Sequence, residues 1–94
     1  MEDGAIEVEL LGVARLLARR ETVRVLAPRP ISLADLLRAV ANEAPALAGT
    51  VLSEDGGLLG GHALSRDGIE LLRDPEATIR PGDRLLLLST SAGG

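Results

Sequence analysis

Apolar and polar residues alternate strictly in Ile6-Glu7-Val8-Glu9-Leu10, the mark of a half-buried strand with Glu7 and Glu9 turned to water. Leu11-Gly12-Val13 offers an extension of it. Ala14 to Arg20, where Leu16 and Leu17 lie among arginines, fits either a turn of helix or a wide connection. Alternation returns in Thr22-Val23-Arg24-Val25-Leu26 and points Val23 and Val25 inward. The simplest arrangement of these two strands is an antiparallel pair. Ala27-Pro28-Arg29-Pro30 then stops the second strand, because proline brings no ladder donor. From there the period changes. Leu33, Leu36, Leu37 and Val40 recur at helical spacing behind Ser32, a good N-cap residue, and Asp35 lies near the positive end of the helix dipole. This predicts a helix from about Leu33 to Ala44, closed by Pro45.

Beyond it, Ala46 to Leu52 is apolar with room for one more short helical turn, and Ser53 to Gly61 is a glycine-rich loop. Ala63-Leu64-Ser65 and Ile69-Glu70-Leu71 flank Asp67-Gly68 and read as a hairpin. Arg73-Asp74-Pro75-Glu76 is a turn, and Thr78-Ile79 leads to another, Pro81-Gly82-Asp83. Leu85 to Leu88 is a short uninterrupted apolar run opening directly after that turn, which predicts a strand covered on both faces. Thr90 to Gly94 are all small. Two hairpins around one helix predict an α+β fold, with a mixed sheet, the helix laid across one face and the first and last strands parallel at its centre. That is the β-grasp, or ubiquitin-like, fold.

Composition narrows the chemistry. Ninety-four residues make one domain. The absence of cysteine removes disulfides, thiolate metal sites and a thiol nucleophile. With no aromatic residue, the core must be built from leucine, valine, isoleucine and alanine. A net charge of −4 argues against nucleic acid and suggests docking onto a basic partner surface. All ten basic residues are arginine, so the Met1 α-amine is the chain's one amine acceptor. The glycine-rich loop lacks the lysine and hydroxyl of a phosphate-binding P-loop. His62, the only histidine, reads as a surface or loop residue rather than a metal ligand or base. One histidine and scattered carboxylates assemble no convincing acid–base pair, so the chain is not expected to be an enzyme. No secretory or membrane-spanning pattern is visible, and a cytoplasmic location is expected.

The C-terminal stretch carries the chemistry. Gly93 and Gly94 have no Cβ, so a carboxylate on Gly94 is able to thread a narrow channel. Three pieces together resemble the MoaD/ThiS family of ubiquitin-like sulfur carriers. They are Ile6 to Leu11 followed by Gly12-Val13-Ala14-Arg15, Ser32-Leu33-Ala34-Asp35-Leu36-Leu37, and Arg80 to Leu88 with terminal Ala92-Gly93-Gly94. The resemblance implies one ubiquitin-like domain over residues 1–94, with 89–94 a flexible tail. It implies that an adenylating enzyme of the MoeB/ThiF type uses ATP and magnesium to activate the Gly94 carboxylate. Sulfur then displaces the adenylate, and the resulting thiocarboxylate supplies a biosynthetic enzyme of a molybdopterin, cysteine, thiamin or natural-product pathway. Gly93, Ala92 and Ser91 would thread the partner active site, with no cofactor resident on the carrier itself. The alternatives are a protein modifier joined through Gly94 and a β-grasp adaptor with an inert tail. A docking surface for the activating enzyme is expected on the exposed sheet face, apolar at its centre and charged at its rim.

Overall fold

The computed structural model describes residues 4–53 and 57–89. Strand β1 (Ala5–Leu10) and strand β2 (Thr22–Leu26) form the expected antiparallel pair, with Val8 opposite Val23 and Ile6 opposite Val25. The strand does not extend through Leu11-Gly12-Val13. It ends at Leu10, and the ambiguous arginine-flanked stretch resolves as helix α1 (Val13–Ala18). Gly12 makes the switch possible: at φ 65° it holds a backbone angle that a side chain would strain.

Helix α2 (Leu33–Glu43) follows its predicted bounds to within a residue. The Ser32 side chain accepts a hydrogen bond from the Asp35 backbone N–H at 3.1 Å, satisfying one orphan donor of the first turn. Leu33, Leu36, Leu37 and Val40 are all buried. Pro45–Leu47 forms a single 3₁₀ turn that seats Leu47 in the core. Just before α2 lies an element the alternation did not reveal. Strand β3 (Ile31–Ser32) pairs antiparallel with β6 (Thr78–Ile79), making a separate two-stranded sheet.

Strands β4 (His62–Arg66), β5 (Glu70–Leu71) and β7 (Arg84–Ser89) complete the main sheet, whose order is β2-β1-β7-β4-β5. Asp67 and Gly68 turn β4 into β5, both at positive φ, as the Asp-Gly pair predicts. The first and last strands are parallel neighbours at the centre, with Val8 beside Leu85 and Leu10 beside Leu87. The resulting α+β architecture is the β-grasp fold. Ile6, Val8, Leu10, Val23, Leu64, Leu85 and Leu87 join the helical stripe in one cluster without a single ring.

The apolar run of β7 corrects its sequence reading. Leu85 and Leu87 are buried, but Leu86 and Leu88 are only half-buried, on the face away from α2. Uniform apolarity there reflects a sheet with one helix-covered face and one open face.

Arg66 pins the turn from which β7 departs. Its Nη1 donates to the Thr78 carbonyl at 2.8 Å and to Asp83 Oδ2 at 3.0 Å, while Nε donates to Glu70 Oε1 at 3.2 Å. Asp83 Oδ2 also accepts from the Arg80 backbone N–H at 2.9 Å. The Glu70 and Asp83 carboxylates push the Arg66 guanidinium further above its usual value, so the cation persists at all practical pH. Truncating Leu36 to Ala should cost about 2–5 kcal/mol in urea unfolding, the usual range for a fully buried leucine. Arg66→Met keeps the stem but removes the clasp, and should cost about 1–3 kcal/mol, because hydrogen bonds to a charged group are lost. Loss of that stability should be equal at low and high salt if hydrogen bonding, rather than screened attraction, dominates.

Candidate functional site

Because β1 and β7 run in the same direction, one end of the sheet holds both Leu10 and Ser89. Ser89, the first residue of the expected tail, is the last residue of β7 and pairs with His62 across the β4 interface. Ser91, Ala92, Gly93 and Gly94, the residues expected to enter a partner, lie outside the described residues. Gly94 is the fifth residue after Ser89 in the sequence. That length spans at most about 17 Å when extended. Any catalyst acting at Gly94 must therefore lie against the surfaces around the end of β7.

One such surface is the open face of the sheet. Register sets Leu86 beside Ser65 and Leu88 beside Ala63, and Leu71 lies beyond Ser65 on β5. Leu71 is 53% exposed, and Ile69 at the hairpin turn is 87% exposed. On the other half of the same face stand Glu7, Glu9, Arg24 and Arg84, with Glu7 opposite both Arg24 and Arg84. The face thus has an apolar half built by β7, β4 and β5, bordered by charge from β1 and β2.

The apolar half continues around the sheet edge. Strand β5 is only two residues long; the Leu72 N–H still donates to the Leu64 carbonyl of β4 at 2.8 Å, and beyond it the chain parts toward the start of α2, where the Ala34 N–H donates to the Pro75 carbonyl at 3.0 Å. A cleft of about 740 Å³ opens there, lined by Leu33 and Leu37 of α2, by Leu64, Leu72 and Leu88, and by the loop residues 57–60 among others. Ala63, Leu71 and Leu88 belong to both the cleft and the open face, making one continuous apolar surface.

His62 also lines this cleft, as the first residue of β4 rather than a loop residue. Its Nδ1 is buried and has no hydrogen-bond partner among the described residues. Among the described residues no carboxylate hydrogen-bonds the ring. Among the described residues, no group of three or more His, Asp or Glu side chains converges as a metal would need. No helix among them is long and apolar enough to cross a membrane.

Solved structures show the same architecture. SAMP1 from Haloferax volcanii superposes with a TM-score of 0.82 at 30% sequence identity, covering 97% of this chain and 100% of that one. The chain belongs to the family of small archaeal modifier proteins. A second structure, H. volcanii small archaeal modifier protein 1, gives a TM-score of 0.77 at 28% identity over 90% of this chain and 95% of the other. Urm1 from Trypanosoma brucei shares the fold at 17% identity, with a TM-score of 0.58 and complete coverage of both chains. No family model matches the sequence, and no curated protein matches it. Family membership therefore shows in the shape and in a modest level of identity.

Sequence patterning anticipated an exposed sheet face with an apolar centre but did not identify its apolar members, since Leu86 and Leu88 look like core until the missing second layer is known. The signal that could have found it is Ile69 and Leu71 flanking Glu70, two large apolar residues on a short hairpin arm. In this modifier fold His62→Leu should unfold at an equal or higher temperature, since it removes an unsatisfied buried nitrogen at similar volume. A melting temperature lowered by many degrees would show that the ring makes a bond that matters.

Proposed function

We propose that this chain is a ubiquitin-like sulfur carrier of the MoaD/ThiS kind, charged at Gly94. The observation that carries the reading is the direction of β7. A central strand, paired in parallel with β1, stops at Ser89 at one end of the sheet, beside an apolar face, five residues short of Gly94 in the sequence. Membership of the modifier family supports it.

An unactivated carboxylate, with a pKa of about 3.5, is an anion stabilised by resonance and resists nucleophiles. In the proposed reaction a Gly94 carboxylate oxygen attacks the α-phosphorus of ATP on the activating enzyme, and pyrophosphate leaves. Magnesium on that enzyme offsets the phosphate charge. Hydrosulfide, or an equivalent sulfur nucleophile, then attacks the carbonyl carbon of the acyl-adenylate. The C–O bond to AMP breaks, and a thiocarboxylate remains on Gly94. Gly93, Ala92 and Ser91 supply a thin lead that fits between the partner's walls. The carrier contributes position; the catalytic groups belong to the enzyme of the MoeB/ThiF type. A biosynthetic acceptor takes the sulfur.

A second reading is favoured by the naming of these relatives as modifier proteins: attachment of Gly94 to amines of other proteins. The same adenylate would then be attacked by nitrogen. The chain has no lysine, so copies of itself cannot accumulate on side-chain amines.

Incubation with the activating enzyme, ATP and sulfide should give an intact protein heavier by the difference between sulfur and oxygen. Removing Gly93 and Gly94 should abolish that product without lowering the melting temperature. Ile69→Arg with Leu71→Arg should raise KM for the carrier about tenfold, as loss of apolar anchors does, while stability stays within about 0.5 kcal/mol. A mass that never changes in the full-length chain rejects the sulfur reading, and conjugates on target proteins under those conditions would establish the second.

A further inference from the structure

The end of the sheet where β7 stops at Ser89 carries a second surface, unlike the first. Helix α1 packs beside β7 there, and the Leu11 backbone N–H donates to the Leu87 carbonyl at 2.9 Å. In this acidic protein the helix and its flank hold Arg15, Arg19 and Arg20 within six residues, all exposed. Leu16 stands among them at 78% exposure.

Only one of the three arginines is neutralised by a carboxylate among the described residues. Arg15 Nη2 lies 2.8 Å from Glu21 Oε2. Arg20 spends its donors on the Thr22 carbonyl at 3.0 Å and the Glu43 carbonyl at 3.5 Å, which orients the guanidinium without cancelling its charge. Arg19 has no carboxylate partner among the described residues.

The backbone at Arg19 adds an independent argument. It caps α1 in the left-handed conformation, φ 59° and ψ 36°, where its N–H donates to the Arg15 carbonyl at 2.9 Å. Glycine is the residue that this position favours on stability grounds. An arginine in this conformation carries backbone strain three residues after the exposed Leu16, and strain against the local preference points to function.

We propose that Arg15, Leu16, Arg19 and Arg20 form a docking patch for an acidic segment bearing an apolar side chain, on the enzyme that activates Gly94. The inference rests on the charging reaction proposed above. An enzyme reaching Gly94 has to approach the end of β7, and α1 is the element it meets beside that strand. The arginines select a negatively charged segment and speed its arrival, while Leu16 supplies a desolvated contact at the centre of the charge. This patch is separate from the open sheet face, which the activating enzyme would meet through Leu71 and Ile69.

The test compares wild-type carrier with Leu16→Ser/Arg19→Gly, with Arg19→Gly alone, and with Arg29→Ser as a control carrying the same charge change at the opposite end. Pyrophosphate release by the activating enzyme is measured against carrier concentration at low and high salt. The double variant should raise KM about tenfold with kcat unchanged and flatten the salt dependence of kcat/KM, as lost steering charges do. Arg19→Gly should melt at a higher temperature yet bind less well, a combination that a merely structural residue would not give. Arg29→Ser should match wild type. Normal charging with unchanged KM and salt dependence in the double variant would overturn the docking patch alone. A wild-type chain that releases no pyrophosphate would remove the charging reaction and the patch together.

Discussion

The parallel contact between β1 and β7 is the constraint from which the rest follows. It joins the two ends of the folded chain at the centre of the sheet, where Val8, Leu10, Leu85 and Leu87 meet on one face. A parallel pair requires a crossover, and here the crossover includes α2, which supplies the cover for that face. Without aromatic side chains, closing the core depends on many branched aliphatic contacts. Each is small in dispersion energy, and the sum is large only if the packing is dense. The same contact fixes direction: a last strand parallel to the first must stop, at Ser89, at the end of the sheet where α1 sits.

Direction also determines what the Arg66 clasp accomplishes. Arg66 ties the hairpin arm, through Glu70, to the Pro81-Gly82-Asp83 turn, through Asp83, and to β6 through the Thr78 carbonyl. Gly82 holds φ 93° in that turn, and its N–H donates to the Ala5 carbonyl at 3.0 Å. The start of β7 is thereby registered against the start of β1. A slip of one residue would exchange Leu85 and Leu87 for Leu86 and Leu88 on the inner face. Since all four are leucine, side-chain type alone does not forbid that slip. The turn geometry and the clasp do.

What the sequence disclosed follows the same logic. The α2 stripe, the Ser32 cap and the Asp67-Gly68 turn were legible because each is a local pattern with a local cause. Alternation exposed β1 and β2 for the same reason. The β3–β6 pair was hidden because two-residue strands have no period to detect, and proline at 30 disguised the first of them. Arg66 was hidden because its partners lie 4, 12 and 17 residues away in sequence. The open face was misread at Leu86 and Leu88 because apolarity records burial against something, without saying whether that something is the same chain. Of the candidate site, the pattern revealed the terminal glycines, while the surroundings of their exit depended on strand order.

Charge shows a related difference between totals and arrangement. A net charge of −4 describes how the molecule looks from far away. At physiological ionic strength the screening length is about 8 Å, shorter than this domain is wide, so a docking partner senses the nearest groups. At α1 those groups are arginines, whereas on the open sheet face they are Glu7, opposite both Arg24 and Arg84, and Glu9, opposite Thr22 and Leu86. A partner matched only to the overall sign would be repelled at the end where the chain leaves the sheet. One matched to the local pattern would need an acidic element near the chain's exit and an apolar area farther along. Two contacts of different chemistry, fixed at a set distance by a rigid sheet, discriminate orientation better than either contact alone. For a protein whose proposed role is to present one carboxyl group, orientation is what the folded domain has to contribute.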